Sequence, residues 1–256
     1  MPQETHVSSR QVHLNSDDAD YTNDKTHIFF FNDIITSSPN VQMLVSLVNA
    51  TIPMSFYVVT ENNNTLIIGL TTYIIPTGNY TILEIINLIE TNIAILTNVT
   101  YSKITNKISM TGSSELVLSA NSTCHRLLGF SKGIHSSTAN VLTSDRTVNV
   151  AGVSSIFIHT NLLTDSIDSR TGGYSNLLAR IPVDASRNGF LNYSPDIPFH
   201  AMIANKTIDF ITVSLEDDDN NAIDLNGQHY QLTLQFDFQY TREFKPPITL
   251  LKKSQV

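Results

Sequence analysis

The strongest constraint on the fold lies at residues 229–240, where apolar and polar side chains alternate strictly. The apolar set is Tyr230, Leu232, Leu234, Phe236 and Phe238. Because successive side chains of a β-strand point to opposite faces of a sheet, the pattern predicts a half-buried antiparallel strand. A chain that contains such a strand must build a sheet that covers a core with one face.

Short runs of β-branched and aromatic residues recur along the chain, separated by turns rich in Asn, Gly and Pro. They predict strands at 28–31, 41–52, 55–60, 65–70, 71–75, 99–104, 107–110, 115–118, 148–150, 154–160, 177–183, 189–193 and 207–215. Asn-containing turns predict that 55–60 pairs with 65–70, and 99–104 with 107–110. Residues 131–146 and 164–173 are predicted as loops. The whole series predicts an all-β sandwich, jelly roll or barrel.

One segment shows helical periodicity instead. Its apolar stripe is Ile82, Ile85, Ile86, Ile89 and Ile93. Thr81 and Glu84 have the spacing of a capping box, so we predict a helix over residues 81–95. A second, brief helix is predicted over 121–128, ending at Gly129.

The composition excludes one large class of function. Hydrophobic residues make up 41% of the 256 residues, enough for a sizeable core, and the formal net charge is −8. A protein that binds nucleic acid through phosphate contacts would instead show a basic patch or stripe. We therefore expect no specific nucleic-acid site.

Three segments are predicted from the distribution of polar residues. Residues 1–26 are polar and lack periodicity, which predicts a flexible N-terminal arm. Residues 27–245 contain no evident linker and are predicted to form one domain. After Pro246-Pro247, which ends the last strand, residues 246–256 form a C-terminal tail. This end is basic, since it contains Arg242, Lys245, Lys252 and Lys253. Two interpretations of the arm and the tail stay open: they contact neighbouring subunits, or they are disordered.

Cysteine content and hydropathy bear on the compartment. Cys124 is the only cysteine, so no intramolecular disulfide forms, which fits assembly in a reducing compartment. Residues 1–18 lack the apolar core of a signal peptide. No run reaches the length of a membrane-spanning helix, so we expect no membrane span.

The acidic run at residues 216–224 is the main candidate for a metal site. Its oxygen-rich side chains would suit Ca²⁺. Counted from Asp217, however, the sixth position is Ala222 instead of Gly and the twelfth is Gln228 instead of Glu, so the EF-hand pattern fails. A solvated loop with a turn at Asn226-Gly227 is the favoured interpretation.

Other titratable residues give weaker signals. Cys124 and His125 are adjacent, whereas catalytic Cys–His pairs are usually distant in sequence. His159 and His229 lie within predicted strands and are interpreted as sheet-face residues. Asp165, Asp168 and Arg170 fit a local ion pair in a loop. We assign no catalytic, cofactor-binding or metal-ligating residue, expect no cofactor, and predict a protein that is not an enzyme.

Five stretches in fixed order resemble a known family. They are VSLVNATIP at 45–53, IPTGNYTILEII at 75–86, LLGF at 127–130, the segment 156–183 that ends in NLLARIPV, and 223–238 beginning IDLNG. Together they span about residues 40–240. The order resembles the penton, or minor capsid, proteins of virophages, Polinton-type elements and related double-stranded DNA viruses.

The resemblance implies a single jelly-roll sandwich with one or two short inserted helices. It further implies a pentamer at the vertices of an icosahedral virion, assembled in the host cytoplasm or nucleus. The implied partners are copies of the chain, a major capsid protein with a double jelly roll, and other minor capsid or cement proteins.

A jelly-roll module that binds carbohydrate or a receptor, such as a lectin or fibre head, is the alternative. It would need a concave site with aromatic side chains and perhaps a Ca²⁺ ion. The chain contains no Trp, the residue that sugar-binding platforms often use. A metalloenzyme of the cupin type would need clustered His and carboxylate ligands, which the sequence does not show.

Overall fold

The computed structural model describes residues 6–23, 25–162, 164, 167–168 and 173–240. In chain order its strands are β1 His6–Asn15, β2 Tyr21–Asn23, β3 Thr26–Thr36, β4 Val41–Pro53, β5 Thr65–Ile68, β6 Thr71–Ile74, β7 Leu96–Ser102, β8 Lys107–Gly112, β9 Val117–Leu118, β10 His135–Ser136, β11 Val141–Thr143, β12 Ser155–Thr160, β13 Ile167–Asp168, β14 Gly173–Tyr174, β15 Leu177–Pro182, β16 Phe190–Tyr193, β17 Ala201–Ile203, β18 Thr207–Glu216 and β19 Gln231–Tyr240. The helices are α1 Ile82–Asn92 and α2 His125–Leu128.

Two antiparallel sheets form the main body. The first has the order β1-β19-β4, with β16 and β17 both pairing with the remaining edge of β4. The second has the order β15-β12-β18-β3-β2. Strands distant in sequence lie side by side in both sheets, so the fold depends on long-range pairing. The predicted all-β, jelly-roll-like fold class is confirmed.

The two sheets enclose one hydrophobic core. Met43, Val45 and Phe236 from the first sheet and Ile158 and Ile211 from the second belong to it, and each is fully buried. Burying one such side chain contributes about 1.5–3 kcal/mol. The alternation at residues 230–238 is confirmed, because its apolar members are all buried on the core side of β19.

The prediction that residues 1–26 form a flexible arm is wrong for the residues described there, 6–23 and 25–26. His6–Asn15 forms β1 and pairs with β19 along its length, from His6 opposite Gln239 to Asn15 opposite Gln231. Tyr21–Asn23 forms β2 on the edge of the second sheet. The pairing partner of β1 lies at the other end of the chain, so no local signal marks these residues as a strand.

The segment between β4 and β12 builds a second hydrophobic core. α1, the hairpin β7–β8 and the small sheet β10-β9-β5-β6 surround it, and Ile85, Ile89, Ile108 and Met110 are fully buried within it. We call this segment, residues 55–154, the insert. The single predicted domain thus contains two cores, one in the sandwich and one in the insert.

The helices follow the sequence closely. Thr81 caps α1: its side chain accepts from the Glu84 backbone N–H, and the Glu84 carboxylate accepts from the Thr81 backbone N–H at 2.7 Å, a complete capping box. α2 ends at Gly129, which adopts φ 78°. Both helix predictions are confirmed, although α1 and α2 are shorter than expected.

Several strand predictions are wrong. Residues 55–60 do not pair with β5, whose partners are β6 and β9. Residues 148–150 form no strand, and β10, β11, β13, β14 and β17 occur where none was expected. The hairpin β7–β8, with Asn106 at φ 54° in its turn, is confirmed. Arg242, Lys245, Lys252, Lys253, Asp165 and Arg170 lie outside the described residues, so the tail at 246–256 and the predicted ion pair stay predictions.

Candidate interaction surfaces

The acidic run is folded into a turn organised by Asp217. Its carboxylate accepts from the backbone N–H groups of Asp219 and Asn221, each at 2.8 Å, and from the Asn221 side-chain amide at 3.0 Å. These bonds satisfy the carboxylate locally, as in an Asx turn. Asp217 therefore shapes the loop that follows β18.

The next two carboxylates connect this loop to the insert. Asp218 accepts from the backbone and the hydroxyl of Ser154, at 3.0 and 2.8 Å. Asp219 forms an ion pair of 3.0 Å with Arg126, which belongs to α2. Within the described ranges, no three His, Cys, Asp or Glu side chains are grouped as a metal would require. In this structure the run links the two cores.

Cys124 and His125 are both buried in the insert. Burial in the second core raises the pKa of the Cys124 thiol to about 12. His125 Nε2 lies 3.0 Å from the carbonyl oxygen of Gly133, so this ring nitrogen supports the loop after α2. The pair serves the packing of the insert.

The two strand histidines have separate roles. His159 lies on β12, with Nδ1 at 2.9 Å from the Asn176 side-chain oxygen and Nε2 at 3.4 Å from Glu216. It is a buried residue on a sheet face, as interpreted from the sequence. His229 instead precedes β19 and lies 3.3 Å from Asp17.

A cavity of about 380 Å³ lies where β3 meets the segment before β19. His27 and Tyr230 line it with their rings edge to face, 5.2 Å between centroids. Among the described residues, neither His27 Nδ1 nor the Tyr230 hydroxyl has a hydrogen-bond partner, although both atoms are buried. Burial, and secondly the charge of His229, lower the pKa of His27 from its ordinary value of 6.5.

An exposed apolar surface covers the outer side of the second sheet near its β2 edge. It consists of Tyr21, Ile28, Phe30 and Phe210, which we call the aromatic face. The strand register places Tyr21 beside Ile28 and Phe30 beside Phe210, with the two Phe rings 5.8 Å apart. Tyr21 is 58% exposed and Phe30 61%, far above what a core residue shows.

A second exposed apolar surface occurs at the β17 edge of the first sheet. Ile197 and Phe199, in the connection from β16 to β17, are 88% and 69% exposed, and Met202 on β17 is 44% exposed. We call these three residues the edge loop. Contiguous exposed apolar groups of this kind commonly mark protein–protein contact sites.

Strand order places these surfaces on opposite flanks of the sandwich. β2 and β3 lie beside β1, to which the turn Ser16–Asp18 connects them. β17 lies at the other edge of the first sheet, where Thr164 bridges Ile203. β15, the far edge of the second sheet, contacts β4 on this same side. The sequence does not predict the aromatic face, because its residues come from three strands.

The fold is similar to that of a viral penton protein. The crystal structure of the mavirus penton protein matches with a TM-score of 0.50 and 12% sequence identity, covering 90% of this chain and 100% of that one. At this identity the likeness concerns the fold alone. No protein-family model matches the chain, and no curated protein matches its sequence.

At the level of architecture, this likeness agrees with the family resemblance in the order of the short motifs. Of the helices in the described part of the chain, none is long and apolar enough to cross a membrane.

Proposed function

We propose that this chain is a structural capsid protein that forms five-fold vertices of an icosahedral viral shell. The observation that carries the proposal is the fold likeness to the mavirus penton protein, which spans all of that chain and 90% of this one. A vertex protein works by assembly, without catalysis. It contacts its own copies around the five-fold axis and a double-jelly-roll major capsid protein at its rim, within the virion.

The surface chemistry of the sandwich supports an assembling protein. The aromatic face and the edge loop expose large apolar side chains on two flanks, which an isolated subunit would leave in water. Burial of such side chains between subunits is favourable by about 25 cal/mol per Å² of apolar area. Closing a ring satisfies every such surface by symmetry.

The test is the mass of the purified protein by size-exclusion chromatography with light scattering, over a wide concentration range. A species of five times the 28.4 kDa chain mass is expected. A stable trimer, or a change of mass on adding Ca²⁺, would contradict the vertex assignment and favour a lectin or fibre head.

A further inference from the structure

Building on the proposed function, we infer that the aromatic face of one copy docks against the edge loop of the next, head to tail. The occupant of each surface is therefore a second copy of this chain. The inference assigns the two sides of the subunit interface, which the proposed function leaves open.

Ring geometry is the first argument. In a closed ring with more than two subunits, each copy contacts its neighbours through two different surfaces, one on either side. The molecule offers two exposed apolar surfaces, the aromatic face beside β2 and the edge loop beside β17, on opposite flanks of the sandwich. A single self-complementary patch would instead stop assembly at a dimer.

Charge on the aromatic side is the second argument. Three exposed acids lie next to the aromatic face: Asp20 directly before β2, and Asp33 and Asp209 at the bulge beside the Phe30–Phe210 pair. Asp20 also accepts a 2.7 Å hydrogen bond from the Phe30 backbone N–H, which fixes the carboxylate at the rim. Lys25, nearby on the chain, forms its own ion pair with Asp224 at 3.5 Å. Among the described residues of this flank, acids thus outnumber bases, also when the exposed Arg10 of β1 is counted.

The opposite flank has the complementary sign. Arg180 on β15, Arg187 before β16 and Lys206 after β17 are exposed there, together with the acids Asp184 and Asp196. The Lys206 ammonium donates to the Val41 carbonyl oxygen at 2.9 Å, next to β17 at the start of β4. Among the charged residues that the structure describes on this flank, the three basic groups outnumber the two acidic ones. Such complementarity favours head-to-tail contact over contact between like flanks.

Two substitutions separate the surfaces. Phe30→Glu places a charge on the aromatic face, and Phe199→Glu places one on the edge loop. Both side chains are mostly exposed, at 61% and 69%, so each variant should fold, which circular dichroism checks. Ile104→Glu is the matched control, because Ile104 is 95% exposed in the β7–β8 turn of the insert, away from both flanks.

Each variant alone should be monomeric by light scattering, whereas Ile104→Glu should assemble like the wild type. Mixed in equal amounts, the two variants should form a two-chain species and nothing larger, since each pair retains one intact contact and no ring can close.

Rings that survive either substitution would overturn the inference while leaving the proposed function standing. Rings that survive but no longer join capsid shells would assign the faces to a different capsid protein, which also overturns it. A mixture that gives only monomers, or full rings, contradicts head-to-tail docking. A wild-type chain that stays monomeric at every concentration, and also after addition of a double-jelly-roll capsid protein, overturns both the inference and the proposed function.

Discussion

At the scale of single residues, burial controls the chemistry of the thiol. Because burial raises the pKa of Cys124 to about 12, only about one thiol in ten thousand is ionised at pH 8. We expect the native protein to resist a thiol reagent such as DTNB for hours and to react fully in concentrated guanidinium chloride. Rapid reaction of the folded chain, measured by absorbance, would contradict the assigned burial.

His27 should make stability depend on pH. Its pKa is lowered by burial and by the charge of His229, so the unfolded chain binds a proton more readily than the folded one. Above about pH 6.5 His27 is neutral in the folded and the unfolded chain, and its full contribution to the free energy of unfolding is present. As the pH falls from there toward the lowered pKa, the unfolded chain binds the proton first and this contribution is lost. Denaturant midpoints should therefore fall with acidification, and His27→Gln should reduce that fall. An unchanged pH profile in the variant would contradict this role.

At the scale of elements, the end of α2 depends on a glycine for two reasons. Gly129 has φ 78°, and a Cβ there would lie 2.6 Å from the Arg146 carbonyl oxygen. Gly227 has nearly the same φ, 76°, but a Cβ there meets nothing within 4 Å. An alanine would therefore cause similar backbone strain at both positions, but a steric clash only at residue 129.

Gly227→Ala should lower the free energy of unfolding by about 1–2 kcal/mol, the cost of the left-handed conformation. Gly129→Ala should lower it clearly further, since backbone atoms must move. Urea denaturation of both variants measures the difference. Equal losses of unfolding free energy in the two variants would show that the backbone around α2 can move to accommodate the added methyl group at little cost.

The elements that sequence alone predicted are those with local signals. α1 was predicted because its isoleucine period and the Thr81–Glu84 capping box lie within one segment, and β19 because its alternation is uninterrupted. β1 was missed because, of its described side chains, Val12 and Leu14 alone among apolar residues are shielded from solvent, between polar neighbours that suit an edge strand. β17 is only three residues long, too short for a periodic pattern, and it is a strand because it pairs with β4.

At the scale of the whole molecule, β1 joins the two ends of the chain. Deleting residues 1–15 removes the hydrogen bonds between β1 and β19. It also removes the buried Leu14, whose burial contributes about 2 kcal/mol to the free energy of unfolding. We expect the truncated chain to lose several kcal/mol of stability and to expose an aggregation-prone strand edge. Arg10→Ala, on the same strand but exposed, is the matched control. Unchanged thermal unfolding of the truncated chain would contradict this role of β1.

The aromatic face belongs to this scale, which explains why the sequence did not predict it. Tyr21, Phe30 and Phe210 come from three strands and meet only through the register of the second sheet. The acidic run was found from sequence, but its carboxylates bind Ser154 and Arg126, which lie far away in the chain. Side chains brought together by long-range pairing leave no spacing pattern to read.

The most direct test of the vertex assignment is the rotational symmetry of the assembled protein, seen in class averages by electron microscopy. Five-fold rings, formed by the chain alone or after addition of a double-jelly-roll capsid protein, are the predicted result. Three-fold particles, or single subunits under every condition, would contradict it.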